Sequence, residues 1–292
     1  MVRTVDQDKE PRLTTRRCSL RAFPSLATSL LLVCAALVAG ATPAAADDWP
    51  AFRGPRADGT SAETGWKADW GEAGPKIAWR MNVGVGASSV TVVGKHVLTI
   101  GNRNDRDIVW CLNAEDGEVI WKHDYPCKFE KRQFEGGTAS TPTVDGDRVY
   151  VFSYDGQLSC LQLKDGSPVW KKHVVKDLGG QAPPWKYAGS PTIEGEMLLL
   201  DIGGNGSSTV ALNKNTGEKI WGSGSDKAGY ATAVVFDQGK VRVALVFKGK
   251  AMVALNAADG KELWRIPWET AYDVNASSPL VLKEGIFISS GY

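Results

Sequence analysis

The chain has 292 residues, of which 43% are hydrophobic and 23% are charged, values typical of a globular protein with a sizeable core. The formal net charge is +1 at pH 7. This nearly neutral balance lacks the strong basic excess of proteins that bind nucleic acid, so we expect no nucleic-acid partner.

The first 46 residues have the pattern of a signal peptide. An apolar run at residues 30–41 and three alanines at residues 44–46 follow a basic stretch, which contains Arg3, Lys9, Arg12, Arg16, Arg17 and Arg21. The run is too short for a membrane span, which needs about 18–20 apolar residues. The mature protein is therefore predicted to be periplasmic or otherwise exported, with no transmembrane span. Residues 15–21 resemble a twin-arginine export signal, and an ordinary basic leader is the alternative.

Residues 47–75 are rich in Gly, Pro and Asp, which disfavours regular elements. Trp49, Phe52, Trp66 and Trp70 favour a segment pinned to a surface. We predict an N-terminal clasp segment, residues 47–75. A lid or a partner-binding arm is the alternative.

An eleven-residue phrase then occurs four times, at residues 111–121, 160–170, 211–221 and 254–264. Every copy has a small residue first, Leu second, Asn or Gln third, Gly seventh and Trp eleventh. Apolar runs around a Gly-containing turn predict two strands joined by a tight turn. The closing tryptophans are expected to dock in a neighbouring copy, with the small first residue as the slot; burial within their own sheet is the alternative. The docking residues are Trp79, Trp121, Trp170, Trp221 and Trp264, where Trp79 closes a phrase whose front half is missing.

The phrase resembles the tryptophan-docking motif Ala-x-Asp-x-x-Thr-Gly-Lys-x-x-Trp of the PQQ-like β-propeller family. The third copy matches at Ala211, Thr216, Gly217 and Trp221. Residues 47–55 are similar to the Asp-Trp-Pro-x-x-Arg-Gly-Pro segment of exported, BamB-like members. The resemblance implies an all-β propeller of four-stranded blades over residues 76–292.

Each repeat supplies two strands before the phrase and two within it, as in one propeller blade. The sequence predicts four complete blades and the first two strands of a fifth. The strand at residues 76–81 is expected to complete a blade and close the ring. Because rings of this family have seven or eight blades, we expect the sequence to be a fragment of a longer, C-terminally extended propeller.

The loops that lead from the fourth strand of one blade to the first strand of the next are expected on one rim. Loops on a rigid scaffold are where binding residues concentrate. Their candidate binding residues are Arg132, Phe134, Trp185, Tyr187, Tyr230, Trp268 and Tyr272. Packing of these aromatics between blades is the alternative.

No catalytic constellation is recognisable, and His96, His123 and His173 lack metal-ligand spacing. We therefore expect an exported, non-enzymatic binding or scaffold protein, whose partner is another exported or envelope protein or a glycan. A carbohydrate- or small-ligand-binding propeller is the alternative. The resemblance also raises a PQQ- and Ca²⁺-dependent dehydrogenase, but no two cysteines are adjacent and no catalytic, cofactor or metal residue is assigned.

Overall fold

The computed structural model describes residues 47–131 and 136–291, so the predicted signal peptide lies outside the described residues. The described chain is built from short antiparallel strands. Sheet 1 contains β1 (Thr91–Val93), β2 (His96–Arg103), β3 (Arg106–Asn113) and β4 (Val119–Pro126), and sheet 2 contains β5 (Thr143–Asp145), β6 (Arg148–Phe152), β7 (Gln157–Gln162) and β8 (Pro168–His173). Sheet 3 contains β9 (Thr192–Glu194), β10 (Met197–Asp201), β11 (Thr209–Asn213) and β12 (Lys219–Ser223). Sheet 4 contains β13 (Val234–Gln238), β14 (Val241–Phe247), β15 (Ala251–Asn256) and β16 (Glu262–Pro267).

A two-stranded sheet 5 follows, with β17 (Leu280–Leu282) and β18 (Gly285–Phe287). In every sheet, strands adjacent in sequence are paired antiparallel. A short helix, α1 (Val174–Leu178), follows β8. The prediction of an all-β fold with four complete four-stranded units and a partial fifth is confirmed.

The predicted strand at residues 76–81 is wrong, because this segment has no regular strand in the structure. A strand requires a hydrogen-bonded ladder with a neighbour. Within the described chain the segment instead contacts sheet 1 through side chains, and Trp79 and Met81 pack on the cluster formed by Val97, Trp110 and Leu112.

The apolar cores lie between successive sheets. Tyr150, Phe152 and Cys160 of sheet 2 cluster with Leu198 and Leu212 of sheet 3, and all five are almost completely buried. Comparable clusters join sheets 1 and 2, sheets 3 and 4, and sheets 4 and 5. Each sheet therefore shares its core with its neighbour, as expected for a repeat that cannot bury both faces alone.

Four of the five predicted docking tryptophans connect one phrase with the next along the chain, whereas the Trp264 indole N–H donates to Gln238 Oε1 of its own sheet at 3.0 Å, so its predicted docking in a neighbouring copy is wrong. The Trp121 indole N–H donates to the carbonyl of Leu163, at 2.7 Å, and its ring covers Gly166. The same two contacts, with the fourth-position carbonyl and the seventh-position glycine of the following phrase, are made by Trp79 on Ala114 and Gly117, Trp170 on Lys214 and Gly217, and Trp221 on Ala257 and Gly260. The slot is thus formed by the glycine turn and not by the small first residue, because the latter is the cross-strand partner of its own tryptophan.

A second set of contacts joins the first strands of successive sheets. Threonine hydroxyls in β1, β5 and β9 donate to carbonyls just before the next first strand: Thr91 to Pro142 at 2.6 Å, Thr143 to Pro191 at 2.7 Å and Thr192 to Ala233 at 2.8 Å. These threonines had no assigned role in the sequence analysis. Their repetition at one position of the first three repeats is the signal that marks them.

The beginning of the clasp segment lies along these first strands. Trp49 forms both backbone hydrogen bonds with Val92 of β1, and the Pro50 carbonyl accepts from Val144 of β5. Arg53 then reaches the carbonyl of Ser278, at 3.1 Å, just before β17. Trp66 and Trp70 are exposed, so the expectation that they help to pin the segment is wrong.

Replacing Gly166 with alanine should destabilise the fold strongly. Gly166 has φ +70°, and an added Cβ would lie 2.5 Å from the Trp121 ring. The left-handed backbone alone costs a non-glycine residue about 1–2 kcal/mol, and overpacking adds about 1–3 kcal/mol. The control is Gly146→Ala, at φ +58° with open space around it. Urea unfolding of both variants should show the larger loss for Gly166→Ala, and equal losses would contradict the docking role of the tryptophan.

Candidate functional site

The loops that follow the fourth strands meet at one edge of the molecule. Antiparallel sheets of four strands place all such loops at the same end. Three of them enclose a small cavity of about 180 Å³, lined by Pro183, Pro184, Lys227, Tyr272 and Asp273 among others. We call this surface the rim; it comprises residues 179–191, 224–233 and 268–279.

Three of the predicted binding residues are presented to solvent on the rim. Trp185 is 43% exposed, Trp268 is 36% exposed and Tyr272 is 69% exposed. The Trp268 indole N–H donates to the Ser290 hydroxyl at 3.0 Å, and its ring meets Phe247 edge-on at 6.3 Å. Large aromatic side chains with one polar group suit contact surfaces that are partly wet.

Two other predicted binding residues are buried and contribute to packing. Tyr187 is only 2% exposed; its hydroxyl donates to the Ile202 carbonyl at 2.8 Å, and its ring packs 5.0 Å from Phe152. Tyr230 is buried as well, and its hydroxyl accepts from the backbone N–H of Trp185 at 3.3 Å. Tyr187 and Tyr230 therefore fit the alternative prediction, that the aromatic residues pack between sheets. Arg132 and Phe134 lie outside the described residues.

A buried ion pair lies beneath the rim. Lys248 Nζ is 2.7 Å from Asp201 Oδ1, and both side chains are at least 95% buried. Lys248 also donates to the Ser208 hydroxyl at 3.1 Å, and the Gly229 N–H donates to Asp201 Oδ2 at 2.9 Å. The rim loop that contains Gly229 and the loop after β14 are therefore both tied to Asp201 at the end of β10.

Asn275 connects the third rim loop, residues 268–279, to the loop that contains Lys248. Its side-chain N–H groups donate to the carbonyls of Lys248, Gly249 and Trp268, at 2.9, 3.0 and 3.2 Å. The backbone carbonyl of Asn275 accepts from the Tyr230 N–H at 2.9 Å. This network was not predictable from the sequence, because a lysine in a short loop between strands is normally solvent-exposed.

Burial raises the pKa of the Asp201 carboxyl, and the ion pair with Lys248 opposes this change. A buried carboxylate is stable as an anion only when it is paired and hydrogen-bonded. Asp201 has both the ammonium of Lys248 and the Gly229 N–H, so the charge at the base of the rim depends on Lys248.

The described residues offer little to a resident metal ion. Across residues 47–131 and 136–291, no three His, Cys, Asp or Glu side chains form a group that could hold one. Cys111, Cys127 and Cys160 are buried free thiols on different elements, and burial raises the pKa of the Cys160 thiol to about 11. These residues fit a Ca²⁺-dependent quinone site poorly. The expectation that PQQ and Ca²⁺ are not cofactors stays a prediction.

Comparison with known proteins agrees with this architecture. The profile of the family described as outer membrane protein assembly factor BamB matches residues 56–204 and 105–292. The chain belongs to this family. A curated relative, the outer membrane protein assembly factor BamB of Shewanella oneidensis, is 27% identical over 165 residues, which are 56% of this chain and 37% of that protein.

Two solved structures share the fold. BamB from Moraxella catarrhalis superposes with a TM-score of 0.52 at 18% identity, covering 72% of this chain and 60% of that one. The quinohemoprotein alcohol dehydrogenase from Comamonas testosteroni gives 0.57 at 13% identity, covering 82% and 45%. The prediction of a PQQ-like β-propeller is confirmed, and the sheets are its blades. The chain spans 37% to 53% of the length of the first curated relatives.

None of the helices in the part of the chain that the structure describes has the length and apolarity that a membrane crossing requires.

Replacing Lys248 with methionine should destabilise the protein by about 3–5 kcal/mol at neutral pH, because it leaves Asp201 charged, buried and without its cation. The matched control is Lys250→Met, whose amine lies 3.6 Å from Glu269 at the surface and should contribute about 0–1 kcal/mol.

The Lys248→Met deficit should shrink as the pH falls. Without the lysine the folded-state pKa of Asp201 lies further above its unfolded value, so protonation favours the folded variant. Urea unfolding at several pH values measures this. A deficit that is constant with pH, or as small as that of Lys250→Met, would contradict the role of the pair.

Proposed function

We propose that this chain is an exported, non-enzymatic binding or scaffold protein that holds another exported or envelope protein against its rim. The observation that carries the proposal is the exposure of Trp185, Trp268 and Tyr272 on loops whose bases are fixed. Aromatic side chains are enriched among residues that dominate binding energy at protein interfaces. Fixed loops also lose little conformational entropy when a partner binds.

Membership of the family described as outer membrane protein assembly factor BamB supports an envelope role. The signal-peptide pattern of residues 1–46 supports export, and the twin-arginine reading remains part of the proposal. The partner is proposed to be a folded envelope protein that takes part in outer-membrane assembly. The complete protein is proposed to carry further blades, because the chain covers only part of its relatives.

The charges of the rim suit a surface contact rather than a charged small ligand. Lys227 Nζ lies 2.8 Å from Asp273, and Lys250 Nζ lies 3.8 Å from the same carboxylate. Lys250 Nζ also lies 3.6 Å from Glu269, so the two lysines are balanced by two carboxylates. A partner would therefore be held mainly by apolar contact with the aromatic rings, with polar contacts around them, as at many protein interfaces.

A photo-crosslinking amino acid at position 272, in the protein expressed in its own cells, should yield one discrete protein adduct. Trp185→Ala in the same chain should reduce that adduct severalfold, since an aromatic anchor at an interface contributes about 2 kcal/mol or more. The control is the crosslinker at position 66, because Trp66 is as exposed as Tyr272, at 69%, but belongs to the clasp segment.

Thermal unfolding of Trp185→Ala should stay close to that of the parent, whereas Tyr187→Ala should lower the midpoint, because Tyr187 is buried. An adduct unchanged by Trp185→Ala, or equally strong from position 66, would contradict the proposal. A titration with a mixture of periplasmic oligosaccharides that quenches tryptophan fluorescence, and does so only with Trp185 present, would favour the glycan alternative.

A further inference from the structure

We propose that the free edges of β9 and β13 form a second binding site, for a short extended uncharged peptide segment. The site extends along the first strands, from Pro191 and Ala233 at the ends of two rim loops to the turn after β9. It is a cavity of about 580 Å³, lined by residues of the clasp segment and by the first strands of sheets 2, 3 and 4. This volume is within the range of about 300–1,000 Å³ of small-ligand sites.

The clasp segment itself shows how a chain binds at this edge. Trp49 N–H donates to the Val92 carbonyl at 2.7 Å, and Val92 N–H donates back to Trp49 at 3.0 Å. The next residue, Pro50, accepts from the N–H of Val144 at 2.8 Å. Consecutive residues of the clasp segment thus add to the edges of β1 and β5 through backbone hydrogen bonds. This is the strand-addition mode of peptide recognition.

The clasp segment leaves this edge after sheet 2. It turns at Gly54, whose N–H donates to the Ala51 carbonyl, and Arg53 is anchored at Ser278 and Pro279 next to sheet 5. Residues 50–57 therefore border the cavity while β9 and β13 lie on its other side. A second strand-like segment would have the same kind of edge available in sheets 3 and 4.

Ile193 and Val235 are the positions equivalent to Val92 and Val144. Val92 pairs with Val97, Val144 with Val149 and Ile193 with Leu198, each one pair beyond the pair next to the turn, whereas Val235 pairs with Ala244 three pairs beyond it, which is the same odd step in the alternation. In a two-residue hairpin the pair next to the turn is hydrogen-bonded, and bonded pairs alternate with non-bonded ones. Counting from the turns puts the N–H and C=O groups of Ile193 and Val235 on the free edge.

The charges around the cavity define the class of ligand. Arg242 binds Glu194 through two hydrogen bonds of 2.8 Å. Lys214 Nζ lies 2.7 Å from Asp145 and 3.4 Å from Glu196. Because these cations are already neutralised, a charged ligand would have to break a pair. Backbone amides with small or β-branched uncharged side chains fit both the edge and the balanced charges.

The test uses the purified exported protein and the blocked peptide acetyl-Thr-Val-Thr-Val-amide, followed by amide resonances in nuclear magnetic resonance spectra. Before peptide is added, the amides of Ile193 and Val235 should exchange with solvent faster than those of Val92 and Val144, which are bonded to the clasp segment. Titration should shift the Ile193 and Val235 resonances and slow their exchange.

The matched control is the same peptide with N-methylated central amides. It keeps the side chains but loses two donors, and should bind about tenfold more weakly. Equal shifts with both peptides, no shift at millimolar peptide, or shifts confined to Val92 and Val144 would overturn the proposal. The last outcome would indicate displacement of the clasp segment instead.

Val235→Pro provides an independent check. Proline is tolerated on an edge strand where the N–H faces away from the ladder. The variant should fold, and its affinity for the unmodified peptide should fall at least tenfold. The N-methylated peptide should bind the variant and the parent protein with equal affinity. A variant that fails to fold would place the Val235 N–H inside the sheet and overturn the assignment.

Discussion

The contact between each tryptophan and the glycine of the following repeat is the constraint on which the rest of the fold depends. The ring needs a surface without a Cβ, and the turn needs a positive φ, and only glycine meets both demands. At Gly117, Gly166, Gly217 and Gly260 the φ values lie between +70° and +75°, with the ring against the Cα in each case. The indole N–H then fixes the distance between sheets through one backbone carbonyl. This contact occurs four times: three instances set the spacing of sheets 1 to 4, and the Trp79 contact attaches the segment before β1 to sheet 1.

The threonine contacts between first strands supply the second fixed point. Tryptophans hold successive sheets through their fourth strands, and threonines hold them through their first strands. Two separated attachments define the angle between neighbouring sheets, where one alone would leave a hinge. The relative positions of the rim loops depend on this angle. Their positions follow from the repeat, and this is why residues distant in sequence, such as Pro184 and Tyr272, line one cavity.

The sequence allowed the fold to be predicted well because its signals are local and repeated. The Gly and Trp positions gave the turn, the strands and the number of sheets. The slot for the tryptophan was assigned to the wrong residue, since the small first residue and the glycine recur together and a pattern cannot say which one touches the ring. Tyr187 and Tyr230 look like Trp185 in the sequence, and only the three-dimensional arrangement separates buried from exposed rings. Asp201 and Lys248 are 47 residues apart in different repeats. No local pattern connects them.

The places where the repeat is broken are the ones that distinguish this chain from a generic propeller. Thr192 has the counterpart Val234 in the next repeat, so the threonine contact ends at sheet 4. The short loop after β14 holds Lys248 where the loop after β6 holds Ser153, which instead donates to buried Asp107 at 2.8 Å. In both cases a carboxylate of the preceding sheet is satisfied, but by a hydroxyl in one interface and by a cation in the other. A cation costs more to bury and tolerates loss of its partner poorly. Its use directly below Trp268 and Tyr272 is explained best if that part of the rim has to keep one conformation.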